Sequence, residues 1–152
     1  PSGGMEPFEG QQLAAAVADS ARYDVFELVD GALRGDATRC VHILDGLRSE
    51  GQAPAVVLWA VHREIRSMAQ ISAAAAKGLS PEQAISRAKV FNKRVPLVRQ
   101  ALSRLRASQW LTLLDQCHEI DAAIKGLRRA QPWLQLEDMV LAICGPKDVF
   151  GG

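Results

Sequence analysis

The sequence predicts an all-α fold, a bundle of six or seven helices, and three observations lead to this class. Apolar residues recur at the three- and four-residue spacings of an amphipathic helix along most of the chain. No short run alternates polar and apolar residues, or concentrates β-branched residues between turns, as strands do. Proline, glycine and capping residues mark short connections between segments of helical length. Short connections favour antiparallel neighbours in a bundle.

The first two helices are predicted on either side of a tight turn. Apolar residues follow helical spacing from Val25 to Ala32, and Gly35 stands where a left-handed C-terminal cap falls. Asp36 then offers an N-cap oxygen to a second helix, whose apolar stripe continues until Gly51. We therefore expect a helical hairpin.

The next two helices begin at prolines. The longest is predicted from Pro54, because proline suits the first helical turn, to the alanine run before Gly78. Ser80 and Gln83 have the spacing of a capping box, so a short helix should follow over residues 81–88.

Three more helices complete the predicted bundle. Pro96 should start a helix with one apolar and one basic side. Ser108 is the expected N-cap of the next helix, which ends at Gly126. Pro132 opens the last helix, which Gly145 closes.

Length and composition are those of one globular domain. The chain has 152 residues, of which 48% are hydrophobic and 23% charged. No apolar run approaches the roughly 20 residues of a membrane span, and the N-terminus does not resemble a secretory signal. The odd number of cysteines indicates reduced core thiols in a cytoplasmic protein, at Cys40, Cys117 and Cys144.

Charge is unevenly placed along the chain although the net charge is only +1. Residues 1–50 carry nine acids and four bases, whereas residues 51–152 carry eight acids and fourteen bases. No acid lies between Glu82 and Asp115, a stretch that holds Arg87, Lys89, Lys93, Arg94, Arg99, Arg104 and Arg106. Such a basic tract can hold a positive local potential.

Phe91 lies inside this basic tract, close to Lys89, Lys93 and Arg94. An aromatic side chain among cations combines base stacking with phosphate neutralisation, which indicates a DNA contact. The alternative is that Phe91 belongs to the core and the cations form a solvated face. Arg99 is a further candidate for DNA contact.

A second basic group comprises Lys125, Arg128 and Arg129. These residues suit phosphate or an acidic partner, although cations also collect at helix C-termini for purely local reasons. Arg128 is a candidate DNA contact, and Arg129 with Trp133 is a candidate partner interface, since tryptophan is enriched at interface hot spots. Trp59 is expected in the core.

No catalytic residues, metal ligands or cofactor site are expected. The three histidines have no metal-ligand spacing with one another or with the cysteines. A glycine-rich phosphate loop and a paired general acid and base are also lacking, and so we expect no enzyme activity of the domain itself.

A series of short motifs resembles the C-terminal collar domain of bacterial clamp-loader delta subunits of DNA polymerase III. Each motif is weak alone, but their order covers most of the chain. They occupy residues 23–30, 33–36, 43–51, 54–59, 63–66, 90–94, 101–105 and 132–137. The family resemblance adds weight to a DNA contact at Phe91, because delta collars carry an aromatic in this motif.

The resemblance implies a non-catalytic assembly domain within a nucleotidyltransferase holoenzyme. Its collar would join those of the gamma/tau and delta-prime subunits in a ring. Upstream domains would hold the sliding clamp, and primer–template DNA would lie nearby. Residues 23–145 would form the collar, residues 5–22 would be the remnant of a preceding lid domain, residues 1–4 an addition from expression, and residues 146–152 a tail. The alternative is a ligand-sensing helical bundle of a regulatory protein, which requires an enclosed apolar pocket.

Overall fold

The computed structural model describes residues 24–145 and places seven α-helices in that range. The helices are α1 Val25–Arg34, α2 Ala37–Ser49, α3 Pro54–Ala76, α4 Pro81–Arg87, α5 Val95–Arg104, α6 Ala107–Ile124 and α7 Pro132–Cys144. A 3-10 turn, Asn92–Arg94, precedes α5, and no strand occurs in the described range. The all-α prediction is confirmed. The expectations for residues 1–4, 5–22 and 146–152 lie outside the described residues.

Local capping signals set several helix ends as predicted. Asp36 accepts a hydrogen bond from the Arg39 amide at 3.1 Å, and Gly35 takes the left-handed conformation that ends α1, with φ +86°. At the start of α4, Ser80 Oγ accepts from the Gln83 amide at 3.1 Å, and Gln83 Oε1 accepts from the Ser80 amide at 2.9 Å. Both reciprocal bonds of the predicted capping box are present.

The start of α6 differs from the prediction. The expected N-cap, Ser108, lies inside the first turn, because the helix begins at Ala107. The Arg106 amide donates to Gln109 Oε1 at 2.7 Å, which satisfies one amide ahead of the first turn. The prediction of Ser108 as the cap was therefore wrong by two residues.

The core lies around α3, which packs along α6, while α1 contacts α2, α3, α5 and α7. Trp59 is buried, as predicted, and its ring packs edge-on against Phe26 with centroids 5.8 Å apart. The predicted core thiols are confirmed, since all three cysteines are buried and free. Large side chains with almost no exposure fill the interior, including Leu28, Ile65, Met68, Trp110 and Leu136.

Arg104 ties together the C-terminal ends of α1, α5 and α7. Its Nη2 donates to the carbonyl oxygens of Ala32 at 3.2 Å, Leu33 at 2.9 Å and Ile143 at 2.9 Å. A cation at these ends is favourable, because the last carbonyls of a helix lack intrahelical donors. Gly145 makes room for it, since a Cβ there would stand 2.8 Å from Arg104 Cδ.

Candidate nucleic-acid interface

The acid-free tract does not form one continuous positive surface, because acids from elsewhere in the fold pair with part of it. Arg104 points into the junction of three helix ends. Arg99 of α5 donates from Nε and Nη2 to the two carboxylate oxygens of Glu82, each at 2.8 Å. This exposed bidentate pair lowers the pKa of Glu82 and raises that of Arg99.

Arg94 is held by two carboxylates from different helices. Its Nε and Nη2 donate to Asp30 Oδ1 of α1 at 3.1 and 3.0 Å. The same Nη2 donates to Glu64 Oε1 of α3 at 2.7 Å. Burial alone would lower the pKa of Arg94, but the charges and hydrogen bonds of Glu64 and Asp30 outweigh burial and raise it. Arg94 is therefore a paired cation within the fold.

Phe91 stands out into solvent between two lysines. Its side chain is 81% exposed, so the alternative interpretation of Phe91 as a core residue is wrong. Lys89 and Lys93 are also exposed, and no carboxylate of residues 24–145 lies within ion-pair distance of either. Lys89 takes a left-handed conformation, φ +56°, that turns the chain between α4 and the 3-10 turn. The Phe91 loop, residues 88–93, thus presents an aromatic ring flanked by cations.

A groove of about 430 Å³ lies beside the Phe91 loop. It is bordered by α1 and α3, through residues that include Phe26, Ala60 and Arg63, and by Phe91 and Arg94. The Arg63 guanidinium lies 5.7 Å from the centroid of the Trp59 ring, within the range of a cation–π contact. A second groove of about 330 Å³ shares Arg63 and follows α3 as far as Gln70.

The part that α1 and α3 play at this site is not evident from the sequence. Phe26 and Asp30 are four residues apart, as are Ala60 and Glu64, and this spacing places each pair on one helix face. The spacing alone was visible in the sequence. Which helix faces meet Arg94 depends on tertiary packing, and nothing local indicates it.

The second basic group is also partly neutralised. Lys125 pairs with Asp121, four residues earlier on α6, at 3.0 Å. Arg128 Nε lies 3.5 Å from Glu119, and both side chains are more than half exposed. Arg129 is exposed on the connection between α6 and α7. This group lies on a different connection from the Phe91 loop, so the candidate DNA contacts fall into two separate sets.

Trp133 lies half-buried at the start of α7, packed against the core. Its amide donates to Gln131 Oε1 at 3.3 Å. Leu127 and Leu134 lie close to it in sequence and are 68% and 57% exposed. Leu127, Arg129 and Leu134 are thus exposed on the connection from α6 to α7 and the first turn of α7, the same part of the chain that holds the half-buried Trp133.

Other kinds of site find little support within residues 24–145. No group of three His, Cys, Asp or Glu side chains there is placed to hold a metal ion. A small apolar cavity beside Leu28 and Val140 measures about 10 Å³, far below the volume of a small-molecule pocket. None of the described helices combines the length and the apolar character of a membrane span.

These features define a class, the all-helical domains that present a basic loop with an exposed aromatic side chain. The chain belongs to the family formed by the C-terminal domain of the DNA polymerase III delta subunit, because the model of that family matches residues 22–143. The predicted resemblance is confirmed, and the alternative of a ligand-sensing bundle is not supported.

Comparison with individual proteins agrees with the family assignment. The chain is 28% identical over 134 residues to DNA polymerase III subunit delta of Escherichia coli, covering 88% of this chain and 38% of the relative. It is 23% identical over 141 residues to the same subunit of Haemophilus influenzae, covering 88% and 41%. The chain thus spans about two fifths of these relatives. The Bacillus subtilis DNA clamp loader delta protein shares the fold, with a TM-score of 0.56, 21% identity, and coverage of 79% of this chain and 35% of that one.

Proposed function

We propose that this chain is the collar, or oligomerisation, domain of a clamp-loader delta subunit and supports sliding-clamp loading during DNA replication in the cytoplasm. The observation that carries the proposal is the family match over residues 22–143. Its partners would be the gamma/tau and delta-prime subunits, with the sliding clamp bound through other parts of the subunit. The domain would act by assembly, as a non-catalytic component of a DNA-directed DNA polymerase holoenzyme, a nucleotidyltransferase.

The Phe91 loop is the proposed contact with primer–template DNA. An exposed ring can stack on any base, and base–aromatic stacking contributes about 1–3 kcal/mol per base. Lys89 and Lys93 flank the ring and have no carboxylate partner among the described residues, so their charges are available to phosphates. Arg99 and Arg128 remain predicted DNA contacts of a weaker kind, because each lies near a carboxylate, at 2.8 and 3.5 Å respectively.

The surface around Trp133 and Arg129 is the proposed contact with a neighbouring collar. Solvent-exposed apolar side chains next to a tryptophan are typical of interface centres. Leu127 and Leu134 supply this apolar surface and are each more than half exposed. The replacement Leu134→Asp would place an uncompensated charge in such an interface, whereas Leu111→Asp alters an exposed leucine on α6 and serves as the matched control.

Assembly is tested by size-exclusion chromatography of the chain alone and mixed with the gamma/tau and delta-prime subunits. Co-elution as a mixed oligomer is expected, with loss of the mixed peak for Leu134→Asp and its retention for Leu111→Asp. Elution of the chain as a separate monomer at every concentration and mixture would contradict the assembly role. Retention of the mixed peak for both variants would place the interface elsewhere, and its loss for both would show that the effect of Leu134→Asp is not specific to this surface.

A further inference from the structure

The most densely connected charged group beside the Phe91 loop is Arg94 with its two carboxylates. Asp30 comes from α1 and Glu64 from α3, so one side chain joins the turn to two helices of the core. The three side chains are only 31%, 37% and 12% exposed for Arg94, Asp30 and Glu64. Nε and Nη2 of the guanidinium are both bonded to these carboxylates, so the charge of Arg94 is already paired within the fold.

The backbone links this group directly to Phe91. The amides of Arg94 and Val95 both donate to the Phe91 carbonyl oxygen, at 2.8 and 3.2 Å. These bonds fix the backbone of Phe91 at the start of the 3-10 turn, and with it the base from which the side chain projects. Val90, the residue before Phe91, packs against the hydrophobic core. Phe91 itself is 81% exposed and has little packing to fix its position, so the loop depends on these two neighbours.

We infer that Arg94 is a positioning residue, which anchors the Phe91 loop through Asp30 and Glu64 and so holds the ring ready to stack on a base. The inference rests on the proposed DNA contact of Phe91 and replaces the direct DNA contact that the sequence predicted for Arg94. The physical reason is entropic: an exposed loop that is already ordered loses less conformational freedom on binding than a mobile one. Phe91 touches the DNA in this scheme, and Arg94 acts only through it.

The anchor is tested first without DNA, by amide hydrogen exchange of residues 94 and 95. Arg94→Gln should raise both exchange rates about tenfold, because the turn loses its side-chain ties to α1 and α3. Asp30→Asn removes the charge from one partner and leaves the Glu64 pair, so a smaller increase is expected from a variant that folds readily. Arg99→Gln, which removes an exposed pair with Glu82, is the control and should leave the two rates unchanged. Unchanged rates in both Arg94→Gln and Asp30→Asn would overturn the inference.

Binding to a primed DNA with a single-stranded 5′ overhang separates positioning from direct contact. Phe91→Ala should weaken binding about tenfold. Arg94→Gln should weaken it by a similar factor with an unchanged salt slope, and adding it to Phe91→Ala should cause no further loss. If Arg94 contacts a phosphate directly, the losses of DNA affinity from the two replacements should multiply in the double variant, and the salt slope should fall by about 1. This result would overturn the inference. If the variants show the expected change in amide exchange but the wild-type protein binds no DNA, the DNA contact of the proposed function is refuted and the anchoring role of Arg94 stands.

Discussion

Replacement of Arg104 by methionine tests the junction of three helix ends. The change keeps an unbranched apolar stem and removes the nitrogen that reaches the carbonyls of Ala32, Leu33 and Ile143. A hydrogen bond from a charged donor contributes about 1.5–3 kcal/mol, and three bonds from one nitrogen are not additive. We therefore expect Arg104→Met to lower the free energy of unfolding by about 3 kcal/mol, a large part of the total stability of a small domain.

Urea denaturation followed by circular dichroism measures this loss. The midpoint should fall while the m-value stays the same, because the surface exposed on unfolding is unchanged. Arg87→Met is the matched control, since Arg87 also lies in the last turn of a helix but is exposed, and a change within about 0.5 kcal/mol is expected. Equal effects of the two replacements would refute the reasoning, as would a loss below about 0.5 kcal/mol for Arg104→Met.

Three further predictions concern the core and the loop. Burial, with the nearby charges of His118 and Arg66, lowers the pKa of His62 from 6.5 to about 4, against an opposing effect of Asp121. Because the unfolded chain binds the proton more tightly, the contribution of neutral His62 to the free energy of unfolding should be fully present above pH 6.5. After allowance for solvent screening, the free energy of unfolding should be about 1 kcal/mol lower at pH 5. Urea titrations at the two pH values should show a smaller decrease for His62→Gln. Burial raises the pKa of the Cys117 thiol to about 12, so Ellman's reagent at pH 8 should label it only at the rate of unfolding, and immediate labelling of the folded chain would contradict its burial. Lys93→Gln should weaken DNA binding at every sequence and reduce the salt slope by about 1, whereas an unchanged slope would exclude a phosphate contact.

Much of the helical framework was predictable because its signals are local. Asp36 and the capping box at Ser80 bond to amides within three residues, so sequence spacing is enough to locate them. Trp59 and the three cysteines were assigned to the core from their place on apolar helix faces, and they are buried. The start of α6 lies one residue before Ser108, at Ala107, where Gln109 Oε1 accepts from the Arg106 amide.

The candidate site was less predictable, because the fate of each cation depends on distant residues. Arg94 meets acids that are 64 and 30 positions away, and Arg104 reaches carbonyls 72 and 39 positions away. In sequence both look like neighbouring members of one basic tract. The exposure of Phe91 was likewise undecided, since an aromatic between cations suits either a core or a surface position until the loop is placed. Tertiary packing therefore decides which charges of the tract remain available.

The proposed DNA contact is tested most directly by placing a photo-cross-linking amino acid, p-benzoylphenylalanine, at position 91 in the full-length delta protein. That protein is assembled with gamma/tau and delta-prime on primed DNA and irradiated, and the same amino acid at the exposed position 111 on α6 serves as the control. The proposed DNA contact of Phe91 predicts a cross-link to DNA from position 91, present only in the assembled complex, and a much weaker one from position 111. Cross-links from position 91 to protein alone, or equal DNA cross-linking from both positions, would contradict it.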